Sequence, residues 1–457
     1  MKYQLPPKVK ETLEKLKKAG FEAYIVGGCV RDLLLKRETK DWDFTTNATP
    51  EDILNLFADG FYDNKFGTVG VPMESAKSKV QSSKIIYEIT TFRSESGYTD
   101  HRHPDKVIWG ETIEEDLARR DFAINAMASD GEKIIDPYKG EDDLKKKIIR
   151  AVGDPNQRFT EDALRMMRAI RIATEMEFII DNKTFEAIVS NTQLIKEISA
   201  ERIREEILKI MASDHPADGI MLLKNSNLLS YILPELEKCF GVEQKSPQRH
   251  HIYDVGTHLL MSLKNCPSKE PVVRLATLLH DIGKPATYKV TEAGVITFYN
   301  HEIIGTSIVR NIADRLHLSK KDRDKLTTLV RWHQFTVDER QTDKALRRFI
   351  RNVGLENLKD ILDLRIGDRL GGGARETSWR LELFKKRIIE VQKQPFTIAD
   401  LKVDGKDVMK IYNIGPGPLV GAVLDMLFND VVEEKLPNER EKLLKRVDQL
   451  KKESKIN

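Results

Sequence analysis

The chain has 457 residues, 40% hydrophobic and 32% charged, with a formal net charge of +3, so it exceeds one compact core and is not basic throughout, although a basic face can hide in a near-neutral total. Its three cysteines, Cys29, Cys239 and Cys266, have neither paired metal-ligand spacing nor a disulfide pattern, which points to a reducing cytoplasm. No run of about 20 apolar residues is present to cross a membrane, and the first 20 residues lack the apolar centre and cleavage site of a signal peptide.

In chain order, "MKYQLPPKVKETLEKLKKAG" reads as an amphipathic helix ending at Gly20. "EAYIVGG" and "DWDFTTN" read as strands, as does "SKIIYEITTFR", in which Ile86, Glu88 and Thr90 share one face. "DLARRDFAINAMASD" reads as a helix. From Phe159 onward a helical period takes over and strands nearly vanish. The expected fold class is α+β, with a small mixed sheet in the first 150 residues and helices after it. Four regions are expected: 1–150, 151–244, 245–375 and 376–457.

Residues 25–44, "IVGGCVRDLLLKRETKDWDF", concentrate chemistry. Asp41 and Asp43 are two apart, so on a strand they project together while Trp42 faces away. Adjacent carboxylates repel unless a cation sits between them. A hard divalent ion such as Mg²⁺ suits such oxygen ligands and commonly carries phosphates as well. Gly27 and Gly28 are read as leaving backbone amides open to a phosphate, with Arg31 to neutralise it. Glu88 on the neighbouring strand would complete a carboxylate trio for two-metal chemistry. In "RRDFAINA", Arg119 and Arg120 can meet phosphates, Asp121 can accept from a ribose hydroxyl, and Asn125 lies one turn further along.

These motifs, in this order, resemble the class II tRNA nucleotidyltransferases, the family of CCA-adding enzymes and bacterial poly(A) polymerases. The resemblance runs through "GGCVRDLLL…DWDF", "YEITTFRSESGYTDHRHPDKV", "RRDFAINAMA", "TEDALRMMRAIRIA" and "SAERIREEILKIM", covering residues 21 to 212. It implies a polymerase-β-type catalytic head followed by a helical neck, body and tail, with tRNA, ATP and CTP as partners. It also implies nucleotide binding by the RRD motif and by Glu161, Asp162, Arg165 and Arg168.

Thr160 reads as the N-cap of the selecting helix, with Glu161 and Asp162 in its positive first turn. Asp162 and Arg165, three apart, would share a face. A carboxylate only accepts hydrogen bonds and a guanidinium only donates. Cytosine and adenine both show an amine donor beside a ring-nitrogen acceptor, and uracil and guanine show the reverse. One Asp–Arg pair can therefore accept C and A and reject U and G. The loop residues Tyr98, Asp100, Arg102 and Pro104 stand in the family's order, with His101 and His103 between them. As the resemblance implies, this argues against a CC-only enzyme. CCA addition is expected. The alternatives are an A-adding or CC-adding nucleotidyltransferase, a poly(A) polymerase, or an RNA-docking hydrolase.

A second constellation follows in "HHIYDVGTHLL", "LATLLHDIGKP", "YNHEIIG", "VRWHQF" and "LRIGDRLG". His280-Asp281 inside an apolar helix is costly to bury without a partner, and a metal resolves the cost. This region resembles the HD phosphohydrolase domain. The resemblance implies His258, His280, Asp281 and Asp368 as ligands of a divalent transition metal or Mg²⁺, with His301 and His333 as further ligands. Lys284 could steady a phosphate. His250, His251 and His317 read as structural. In the tail, "NIGPGPLVGAVLDML" enters a helix through Gly415, Gly417 and Gly421, either a site for an RNA phosphate or an ordinary turn.

Overall fold

The computed structural model describes residues 4–39, 41–62, 67–73, 85–96, 106–110, 112–244, 253–335, 337–392, 398–433 and 435–453. Tyr98, Asp100, His101, Arg102, His103, Pro104, His250 and His251 lie outside the described residues. The fold is α+β, and the chain forms two compact units. The first holds residues 1–237 and 315–317, and the second holds 238–314 and 318–457.

The first unit opens with helix α1, Pro7–Lys18, which buries Val9, Thr12, Leu13 and Leu16 at helical spacing. A seven-stranded mixed sheet follows. Its strands are β1 Ala23–Val26, β2 Asp43–Thr46, β3 Phe61–Tyr62, β4 Thr68–Met73, β5 Ile85–Thr91, β8 Ala128–Ser129 and β9 Ile134–Ile135. Strands β6 Arg93–Ser96 and β7 Lys106–Trp109 form a separate ribbon. The spatial order in the sheet is β3-β4-β5-β2-β1-β8-β9. Within this sheet, among the described residues, only the pairing of β2 with β5 is parallel. Its register sets Asp43 beside Glu88 and Phe44 beside Ile89. Alternation then sorts the faces: Tyr87, Ile89 and Phe44 are buried, while Ile86 and Glu88 are exposed.

Short helices connect the strands. They are α2 Gly28–Leu34, α3 Pro50–Leu56, α4 Ile113–Ala118 and α5 Gly140–Lys146. The RRD segment departs from its expected helix. Helix α4 stops at Ala118, Phe122 is extended, and Ala123–Asn125 form one 3₁₀ turn. Helices α6 Pro155–Glu161, α7 Leu164–Met176, α8 Asn182–Asn191 and α9 Ala200–Ala212 complete the neck.

Among its described residues the second unit is helical apart from the two-residue strands Lys289–Val290 and Ile296–Thr297. Apolar residues of helices Val255–Lys264, Pro271–Leu279, Lys320–Trp332 and Leu358–Gly371 bury one another. Gly283 is required by close approach: a Cβ there would lie 2.1 Å from the His301 carbonyl oxygen. The tail packs its own core around Val408, Leu427, Leu443 and Val447. Gly415, Gly417 and Gly421 face open space.

The central strand sets the stability of the first unit. Phe44 is 1% exposed and its ring lies 5.2 Å from that of Tyr87. Phe44→Ala is expected to cost about 3–5 kcal/mol, read as a lower urea midpoint for the transition of the first unit.

Candidate functional site

A cavity of about 670 Å³ opens in the first unit, lined by Gly27, Gly28, Arg31, Asp41, Asp43, Arg120, Asp121, Asn125 and Arg168 among others. Glu88, Arg119, Glu161, Asp162 and Arg165 are not on that lining. Glu88 is nevertheless beside Asp43 across the parallel pair, so the two carboxylates share a face. Asp41, just before β2, is exposed, and Asp43 is half-buried. Burial raises the Asp43 carboxyl above its ordinary range. The Arg120 charge opposes that rise and the Asp41 charge adds to it. Two like charges on one wall, one of them desolvated, fit a hard divalent cation.

Gly27 serves differently from the expectation. Its amide is taken by the Met127 carbonyl at 3.2 Å, so it is not open to a phosphate. Instead Gly27 adopts φ +81°, and a Cβ there would approach Arg120 Nη1 to 3.0 Å. The glycine provides left-handed backbone and room for a guanidinium.

A continuous hydrogen-bond chain crosses the cavity. Arg31 donates to Asp32 at 2.9 Å and to Asn125 Oδ1 at 2.9 Å. Asn125 Nδ2 donates to Asp121 Oδ1 at 3.2 Å, and Arg168 donates to Asp121 Oδ2 at 2.9 and 2.7 Å. Burial is the largest single influence on Asp121 and opposes its ionisation, but the Arg168 charge, the hydrogen bonds from Arg168 and Asn125 and the Arg165 charge together outweigh it and hold the carboxyl down at about 2. Asp116 is a site residue that sequence reasoning missed. It is fully buried, and its two oxygens hold Arg119 at 2.7 Å and Arg120 at 3.1 Å. The spacing three and four residues ahead of those arginines on a helix was the available signal.

The residues expected to select the base are arranged otherwise than the sequence suggests. The cap ahead of them is Asp154, which accepts from the Asn156 amide, and Thr160 bonds back to the Asn156 carbonyl inside α6. Glu161 ends α6, and Asp162 is extended, with φ −142° and ψ 103°, between α6 and α7. Asp162 and Arg165 therefore do not share a face of one helix. Arg165 donates to Glu161 at 2.8 Å and to the Arg119 carbonyl at 3.0 Å. Arg202 of α9 grips Asp162 at 2.7 and 3.2 Å. No local spacing could have revealed that contact, which spans 40 residues.

The second unit carries an independent cluster, in which all six expected ligands meet. His258 Nε2 lies 3.3 Å from His280 Nε2 and 3.2 Å from Asp368 Oδ1. Asp281 Oδ2 lies 3.3 Å from His280 Nε2, and Asp281 Oδ1 lies 3.1 Å from His301 Nε2 and 3.5 Å from His333 Nε2. His280, His301 and His333 each direct Nδ1 at a backbone carbonyl, those of Thr277, Phe298 and Val330, at 2.7–2.8 Å. A carbonyl only accepts, so Nδ1 carries the hydrogen and the Nε2 lone pairs converge on the centre. Burial disfavours a charge on His280, yet the Asp281 and Asp368 carboxylates push it up to about 10. Both carboxyls lie well below their ordinary range, against the effect of burial. The cluster demands positive charge at its centre, which a divalent cation would supply. Lys284 is 2.6 Å from Asp281, and a cavity of about 410 Å³ opens onto the cluster. His317 instead pairs with Glu201 at the surface. Among the described residues no helix is long and apolar enough to cross a membrane.

Comparison with known proteins agrees with this geometry. The chain matches the "Poly A polymerase head domain" over residues 23–150 and the "Probable RNA and SrmB- binding site of polymerase A" over 177–240. It also matches "tRNA nucleotidyltransferase domain 2 putative" over 295–447. It is 31% identical to the CCA-adding enzyme of Ligilactobacillus salivarius, covering 96% of this chain and 95% of the relative. To that of Pediococcus pentosaceus it is 32% identical, covering 96% and 97%. The crystal structure of the Bacillus stearothermophilus CCA-adding enzyme in complex with CTP superposes with a TM-score of 0.70 at 28% identity, covering 99% of this chain and 100% of that one. With its head, neck and length all accounted for by these relatives, the chain belongs to the family of CCA-adding enzymes.

Proposed function

We propose that the chain adds C, C and A in turn, from CTP and ATP, to the 3′ end of tRNA without a nucleic-acid template, in the cytoplasm. The observation that carries this reading is the parallel alignment of Asp43 with Glu88 beside the arginine-lined cavity. Asp41, Asp43 and Glu88 would hold Mg²⁺, which when bound stabilises charge on a phosphate and activates a 3′-hydroxyl. Arg31, Arg120 and Arg168 offer guanidinium donors to the triphosphate. Asp116 fixes the first two of the RRD residues, Arg119 and Arg120, from behind. Asp121 already accepts from Asn125, Arg168 and the Phe122 amide, so it acts on the nucleotide mainly by orienting Arg168 and Asn125.

Asp162 and Arg165 choose the base. Each is held by a partner that leaves capacity over. Arg165 spends Nη1 and Nη2 on Glu161 and on the Arg158 and Arg119 carbonyls, while a guanidinium has five N–H groups. Asp162 accepts from Arg202 and the Leu164 amide, and a carboxylate has about four acceptor positions. Arg202 is thus a positioning residue for the selector. A second reading concerns the other unit, and the convergence of four imidazoles and two carboxylates favours it. In that reading His258, His280, Asp281, His301, His333 and Asp368 form a metal-dependent phosphohydrolase centre of HD type that serves tRNA-end repair.

The test uses tRNA transcripts ending before CCA, after C and after CC, given single nucleotides and then ATP with CTP. Addition of C, C and A to the shortest transcript, stopping there, is the expected product. Addition of A alone to the CC-ended transcript would mark an A-adding enzyme and overturn the reading. Asp41→Ala should abolish transfer and leave phosphomonoester hydrolysis intact, and His280→Ala should do the reverse.

Arg165→Ala should narrow the preference for CTP over UTP by about 10–100-fold, since a base-specific donor worth about 1–3 kcal/mol is removed. Misincorporation ratios on the shortest transcript read this directly.

Asp121 gives a pH signature. Its folded pKa is depressed to about 2, so its pairing stabilises the fold above the ordinary carboxylate value and the benefit is lost as pH falls from about 4 towards about 2. Wild type should therefore exceed Asp121→Asn in unfolding free energy, read by denaturant titration at neutral pH, by an amount on the order of 2 kcal/mol, with the gap closing through that acid window.

A further inference from the structure

Next to the histidine cluster, within the second unit, lies a second compartment of about 650 Å³. It shares Gln334 and Arg365 with the wall of the cluster's own cavity. Its lining carries Arg365, Arg369 and Arg380 together with Trp379, and among the described lining residues there is no carboxylate. Arg365, Asp368 and Arg369 fall on one face of helix Leu358–Gly371, at i, i+3 and i+4. The helix therefore sets two guanidiniums beside a residue of the cluster itself. Arg365 donates to Asp368 at 3.0 Å. Arg369 donates to the backbone carbonyls of Arg375 and Thr377, which leaves its charge on the groove. Arg380 pairs with Glu339 at 2.7 Å and its guanidinium stands 5.2 Å from the Trp379 ring. Trp379 opens its helix and is 63% exposed, more than any packing role requires.

Guanidiniums in series suit successive phosphates, and an exposed indole suits a base face. We infer that this groove binds the terminal nucleotides of a single-stranded RNA and leads its end to the histidine cluster. The inference rests on the reading of that cluster as a metal centre, and it gives that centre a polynucleotide end as substrate in place of a free mononucleotide. Two adjoining compartments exceed what one mononucleotide fills. An acidic peptide would satisfy the arginines and leave the indole uncovered.

The probe is an adenosine hexaribonucleotide titrated into the full chain, with tryptophan fluorescence as readout. The chain has four tryptophans, so Trp379→Phe isolates the contribution of one. Quenching is expected in wild type and lost in Trp379→Phe. In Arg369→Glu its midpoint should move to about tenfold higher RNA or more, with melting curves confirming that both variants fold. Quenching that survives in Trp379→Phe, or a midpoint unmoved in Arg369→Glu, overturns the inference. So does AMP or a hexaglutamate peptide giving the hexanucleotide's quenching at the same midpoint. Calorimetric titration with Mn²⁺ on wild type and His280→Ala tests the metal centre separately, because it reads no RNA.

Discussion

The parallel pairing of β2 with β5 is the constraint on which the head depends. A parallel register aligns equivalent positions of two strands that are distant in sequence. Here it brings Asp43 and Glu88 side by side on the face opposite the core. Phe44 and Ile89 occupy the next register position and are fully buried. A slip of one residue would send the carboxylates into the core and the apolar pair into solvent. Hydrophobic burial therefore fixes the acidic geometry, and the repulsion between the acids is borne by the core beneath them.

Around that face the head is assembled from ion pairs with one member deeply buried. Asp116 and Asp121 each lie beneath guanidiniums that turn outward from them. Breaking such a pair leaves a buried charge uncompensated, so the arginines are held firmly where a flexible surface arginine would not be. The same logic extends to Arg165 and Asp162, the proposed selector, which Glu161 and Arg202 hold. Discrimination by hydrogen bonding requires donors and acceptors fixed before the base arrives, because a mobile side chain would adapt to the wrong edge.

Much of this was legible in the sequence where the signal was local. The Asp41-Trp42-Asp43 alternation, the order of the motifs and the polar residues set in apolar helices all follow from spacing, and six ligands scattered over 110 residues do converge. What failed depended on tertiary contact. "TEDALRMMRA" is composed of good helix formers, so a continuous helix was the natural expectation. The chain instead breaks at Asp162, where the carboxylate bonds to the Leu164 amide and to Arg202. Gly27 was read by residue type as an open amide, yet its partner is the Met127 carbonyl across the strand pair β1–β8. The helix expected through the RRD motif ends early, since Asp116 turns Arg119 and Arg120 back onto itself.

The two centres differ in donor chemistry, and that difference lets them share one chain. The head offers carboxylates alone, which suit a hard ion that retains phosphate and water ligands. The body offers four imidazoles, three of them with Nδ1–H anchored to backbone carbonyls, plus the buried Asp281 and the partly buried Asp368, a set that would suit a transition metal. A hard ion and a transition metal would each favour one set over the other. A cation held at the head would be open to exchange with an incoming triphosphate, because Asp41 and Glu88 face solvent. Five of the body's six candidate ligands are buried and Asp368 is partly so, with Lys284 and Gln244 closing one side of Asp281, an arrangement that would retain an ion. A cation delivered with the nucleotide and a cation kept by the protein would thus be distinguished by one physical variable, the depth at which the surrounding side chains are set.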